Sequence, residues 1–100
     1  MVRITLRYFD GCPNSRLAEG RIEEALAAAG HDAAIARERV DTPEQGERLG
    51  FRGSPTVLLD GRDPFADQAG PVGFSCRLYK TENGPQGAPS VRQLVEALAR

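Results

Sequence analysis

The chain has no tryptophan, one histidine, two cysteines and no apolar run near the roughly 18 residues that a membrane-crossing helix takes. Each shortage removes a class of protein. Two cysteines in 100 residues cannot make a disulfide scaffold, so in a reducing compartment each is expected to be catalytic, metal-binding or simply buried. With His31 as the sole histidine, a zinc site of the Cys/His kind would have to borrow scattered carboxylates; no metal and no cofactor are expected. The N-terminal Met-Val-Arg-Ile-Thr lacks the long apolar core of a signal peptide, and cytoplasmic residence without a membrane partner is the expectation. A formal charge of −1 leaves no basic excess for nucleic acid.

What remains is an ordinary globular composition, 40% apolar and 27% charged, with enough chain for one domain over residues 1–100 and too little for two. There is no internal repeat and no low-complexity segment, and the oligomeric state is left open.

The most informative stretch is 4–26. Ile4, Leu6 and Tyr8 alternate with Thr5, Arg7 and Phe9, which predicts a strand ending at Asp10-Gly11. From Pro13 the period changes, and Ala18, Ile22, Ala25, Leu26 and Ala29 share one helical face with Gly30 as the stop. Proline suits the first helical position, so Cys12 is expected at the N-cap. Its sulfur would there accept from the backbone N–H groups of Asn14 and Ser15, an environment that favours thiolate over thiol. The alternative is a small buried hydrophobe at a helix cap. Ser15 either donates its hydroxyl to that sulfur or serves as a helix-capping serine. Gly20 weakens the helix, and either permits close approach of a neighbour or is merely tolerated.

Further on, 33–40 predicts a strand at a sheet edge, with the preceding loop residue His31 solvated. Thr42-Pro43-Glu44-Gln45 predicts a capped helix stopping at Gly50, and Thr56-Val57-Leu58-Leu59 a buried strand. Local sequence does not say whether the Ser54–Pro55 bond is cis. Residues 62–74 form a long connection, either a functional lid or a cover pinned by Phe65, Val72 and Phe74. A last strand is expected at 75–80 and a loop at 81–89. Ser90 with Gln93 then caps a helix whose apolar stripe is Val91, Leu94, Val95 and Leu98.

The order β-α-β-α-β-β-α predicts a parallel pair from the first βαβ unit, an antiparallel hairpin near the end, and helices on both faces. Gly11-Cys12-Pro13-Asn14-Ser15 between strand and helix, with Gly53-Ser54-Pro55-Thr56 opening a later apolar strand, resembles the thioredoxin-like superfamily in its short glutaredoxin-sized form. The resemblance covers nearly the whole chain. It implies a three-layer α/β sandwich on a mixed four-stranded sheet, a cis-proline at Pro55 against Cys12, and Cys12 as the nucleophile of the motif. Ser15 stands where the resolving cysteine would be, so a two-thiol cycle within the motif is excluded. Catalytic roles therefore fall on Cys12 and Ser15, and substrate binding on Pro13, Ser54 and Pro55. Cys76 is expected to be structural, with its strand running back toward the active end so that it lies at the far end, roughly 13 Å away at ~3.3 Å per residue.

Two readings follow from the resemblance. One is a monothiol thiol-disulfide oxidoreductase acting on a low-molecular-weight thiol disulfide or a protein disulfide. The other is a non-catalytic module that holds a partner in the groove beside Cys12 and Pro55. Likeness to small bacterial proteins labelled as related to organomercurial lyase adds thiol-dependent handling of an organometal as a third.

Overall fold

The computed structural model of the chain describes residues 2–100. Strand β1 (Ile4–Tyr8) lies at the centre of a three-stranded sheet, parallel to β2 (Ile35–Arg39) and antiparallel to β3 (Thr56–Leu59). Between β1 and β2 runs helix α1 (Asn14–Ala29), and between β2 and β3 the short helix α2 (Pro43–Leu49). A separate hairpin of β4 (Tyr79–Thr81) and β5 (Gly84–Gln86) precedes helix α3 (Val91–Leu98). No described helix is long and apolar enough to cross a membrane.

Two periodicities meet in the core. Ile4 and Leu6 point to one face of β1, and Ala18, Ile22, Ala25 and Leu26 form the buried stripe of α1 that covers it, joined by Val57 and Leu94. Each fully buried Ile or Leu in this layer contributes about 1.5–3 kcal/mol. The other face of β1 carries Arg7. It pairs with its cross-strand partner Glu38 and donates to the Leu49 carbonyl at the end of α2, which sets α2 on that side. Both smaller helices begin as the sequence dictates: Thr42 Oγ1 accepts from the Gln45 amide, and Ser90 and Gln93 form a complete capping box.

The four-stranded sheet expected from the sequence does not form. The chain reverses after β3 at Asp60-Gly61, both with positive φ, and closes a bridge from Leu59 to Arg62. The connection then travels back along the molecule until the Gly73 amide donates to the Phe51 carbonyl. Residues 75–77 therefore enter beside Ser54 running parallel to it, with Ser54 N–H donating to the Ser75 carbonyl and Arg77 N–H to the Ser54 carbonyl. The pairing stops at this single bridge. In place of a strand over 75–80, only Tyr79–Thr81 is regular, and it pairs with β5 inside the stretch expected to be a loop. The Thr81 hydroxyl closes that turn by donating to Gly84 and accepting from Asn83.

The returning segment is locked by one buried cation. The Arg77 side chain is buried, and its guanidinium donates to both carboxylate oxygens of Asp63, to the Phe65 carbonyl and to Thr56 Oγ1 while lying over the Tyr79 ring at 4.6 Å. Its Nε is buried without a partner among the described residues. Removing the counter-charge leaves an uncompensated cation, so Asp63→Ala should destabilise by roughly 3–5 kcal/mol in urea unfolding, while the double change Asp63→Leu with Arg77→Met should cost clearly less.

Candidate active site

Past β1, Phe9, Asp10 and Gly11 turn the chain, with Gly11 at φ 85°, and the Cys12 amide closes the turn by donating to the Phe9 carbonyl at 3.3 Å. Pro13 already has helical angles (φ −69°, ψ −20°), but regular helix starts at Asn14. The cap position therefore falls on Pro13 rather than Cys12, a shift of one residue. No side chain caps the first turn, so the expected acceptance of backbone N–H groups by the Cys12 sulfur is not realised. The Cys12 carbonyl takes that role, receiving the Ser15 amide at 3.4 Å and the Ser15 hydroxyl at 3.1 Å. Ser15 thus ties the turn through the Cys12 backbone, not through its sulfur.

Phe9 organises the site with its backbone and its ring. Its amide donates to Ser54 Oγ at 3.3 Å while its carbonyl accepts from Cys12, which brings the two motifs together on one residue. Its ring stacks on Phe74 (4.8 Å between centroids) and meets Phe51 edge-on (6.5 Å). Phe74 is the end of the long connection, and Phe65, buried edge-on against Tyr79, lies near its start. Buried Phe65, and Phe74 through its stack on Phe9, pin the connection down as a cover, although Phe74, like Val72, keeps an exposed side.

The Ser54–Pro55 peptide bond is cis. Gly53 has φ 109°, and a Cβ there would meet Arg77 Cβ at 2.9 Å and the Ser75 carbonyl at 3.0 Å, so residues 75–77 press directly on this loop. Behind it, the Tyr79 hydroxyl donates to the Pro55 carbonyl at 2.5 Å. Ser54 and Pro55, expected to bind substrate, are fully buried beneath this cover, whereas Pro13 is exposed.

Cys12 itself is 6% exposed. It contributes to the wall of a cleft of about 800 Å³ between α1 and the ends of β1 and β2, with Tyr8, Arg16, Glu19, Gly20 and Arg37 among the other walls. Glu19 and Arg37 pair across it. Farther back, the segment leading into α3 presses on the first turn of α1: a Cβ on Gly87 would lie 2.3 Å from Asn14 Cγ.

Cys76 is not at the far end of the sheet. Its pairing with Ser54 puts it at the Cys12 end, because the connection carries the chain back before residue 75 instead of folding directly into a hairpin with β3. Both cysteines are free, Cys12 buried and Cys76 exposed. His31 is exposed, and among the described residues no three of His, Cys, Asp and Glu gather into a metal-holding group. Arg77, Tyr79 and Phe9 went unrecognised in the sequence; the signal for the first two was their i, i+2 spacing, which puts both on one face of a strand with Asp63 as the available counter-charge. No protein-family model and no curated protein sequence matches the chain.

Two outcomes are expected here. Under native conditions an alkylating reagent should modify Cys76 well before Cys12, read by peptide mass mapping over time. Burial, opposed by the nearby Arg77 cation and reinforced by Asp63, pushes the Tyr79 hydroxyl far above its ordinary value. A raised folded value means that stability is intact below about pH 10 and falls as pH climbs past it. Tyr79→Phe should lose about 1–3 kcal/mol at neutral pH, from the unmet Pro55 carbonyl, and should flatten the alkaline decline in unfolding curves.

Proposed function

We propose that the chain is a monothiol thiol-disulfide oxidoreductase of thioredoxin-like architecture, with Cys12 as its nucleophile. The observation that carries this reading is the double use of the Phe9 backbone, which holds a cysteine at the head of a helix against a cis-Pro segment. The cleft that Cys12 helps to line gives a disulfide a way in. In the first step the Cys12 thiolate bonds to one sulfur of a substrate disulfide, the substrate S–S bond breaks, and the second sulfur leaves as a thiolate. A first outside low-molecular-weight thiolate then attacks the Cys12 sulfur of the mixed disulfide and releases the first substrate sulfur as thiolate. A second attacks the small-thiol sulfur now on Cys12, which frees the Cys12 thiolate and leaves as the small disulfide.

Ser15 cannot take the place of that outside thiol. An alcohol is not ionised enough at neutral pH to displace sulfur, and its hydroxyl is engaged by the Cys12 carbonyl. Its role is to hold the turn that presents Cys12.

In a Cys76→Ser background, an excess of an oxidised small thiol should leave a stable adduct on Cys12 that disappears only when fresh thiol is added, read by intact-mass spectrometry. Cys12→Ser should abolish the adduct with an unchanged fold, because the sulfur caps nothing. Ser15→Cys should release the adduct and close an internal disulfide, one helical turn being within the reach of about 4.4–6.8 Å between Cα atoms. A Cys76→Ser protein that forms no adduct on Cys12 would leave the binding-module reading in its place.

A further inference from the structure

The open approach to Cys12 lies on the side away from Pro55. A partner strand beside Ser54 would need its backbone N–H and carbonyl, and both are already used by Ser75 and Arg77 of the chain itself. Phe74, stacked on Phe9, lies on that same side. The cleft along α1 is the alternative.

Arg16, Glu19, Gly20 and Glu23 line it at spacings of three, one and three residues, a single stripe of the helix. From Cys12 to Glu23 this stripe runs about 16 Å at ~1.5 Å per residue, the length of about five residues of extended peptide at ~3.3 Å each. The cleft carries charge of both signs, and Leu6, Tyr8 and Phe9 add an apolar floor.

Gly20 is the second observation. Glycine in mid-helix is unfavourable, and this one has no positive φ and nothing within 4 Å of where its Cβ would be. Neither turn geometry nor packing within the chain calls for it. Its missing side chain leaves the wall open at the middle of the stripe, where Glu19 pairs with Arg37 across the cleft and a bound segment must displace that largely exposed Arg37 side chain.

We propose that an extended peptide segment carrying the substrate disulfide lies in this cleft along α1, with Gly20 as the wall that admits its backbone. The inference rests on the oxidoreductase reading and specifies its substrate as a peptide disulfide. The exchange is the one given above: Cys12 bonds to one peptide sulfur, the other leaves as thiolate, and a low-molecular-weight thiol supplies the reducing equivalents.

The test uses the full chain with Cys76→Ser and two probes, the neutral small disulfide 2-hydroxyethyl disulfide and an unstructured decapeptide activated at a central cysteine as its 2-nitro-5-thiobenzoate disulfide. Gly20→Leu should slow adduct formation with the peptide roughly ten- to hundredfold and with the small disulfide by no more than about twofold. Gly20→Ala should raise Tm while slowing the peptide reaction less. A reporter Glu23→Trp, in a chain without other tryptophan, should shift its emission on forming the peptide adduct and not on forming the small one. Equal effects of Gly20→Leu on both probes, or none on the peptide, or a silent reporter, would overturn the cleft proposal with the oxidoreductase reading intact. Failure of the unsubstituted Cys12 to react with either probe would instead remove the reading beneath it.

Discussion

A charge taken out of water must be met on nearly every side, and the Arg77 guanidinium is where this chain meets that demand. Asp63, Phe65 and Thr56 supply the acceptors, and the Tyr79 ring supplies a face. These partners come from the long connection, from β3 and from β4, three parts of the chain with little else in common. Satisfying the cation brings them together. Tyr79, held beneath it, in turn fixes the carbonyl of Pro55. The geometry around Cys12 thus depends on an ion pair that contributes no atom to the chemistry.

Where the sequence states its own local rules, the structure follows them. The change from period two to period 3.6 across Cys12-Pro13 marks the end of β1 and the start of α1, and Thr42-Pro43 with Gly50, and Ser90 with Gln93, bracket or open their helices through the bonds those residue types make. The direction of residues 75–80 was not legible in the same way. Strand propensity says that a segment extends and says nothing about which edge it joins or which way it runs. That was decided by Asp63 and Arg77, fourteen positions apart, each an ordinary surface charge when read alone. β5 was hidden for a related reason: Gly84-Pro85-Gln86 has poor strand propensity, and it is extended because the Thr81 side chain shapes the turn before it.

The candidate site divides along the same line. Cys12, Ser15 and Pro55 are recognisable because their spacing relative to a strand and a helix is itself the signal. The cover over Ser54 and Pro55 is not, since it depends on where a distant segment returns. The result is a cysteine whose two flanks differ, one sealed by the chain's own backbone and one open along a helix.

Gly87 gives the Asn14 contact a meaning for how the sequence can vary. A side chain at position 87 would collide with the end of the Asn14 side chain, which would have to swing away at the first turn of α1, two residues from Cys12. A change at 87 is therefore met by the Asn14 side chain rather than by the backbone of α1. A single methyl group added near the far end of the chain would be felt in the first turn of α1.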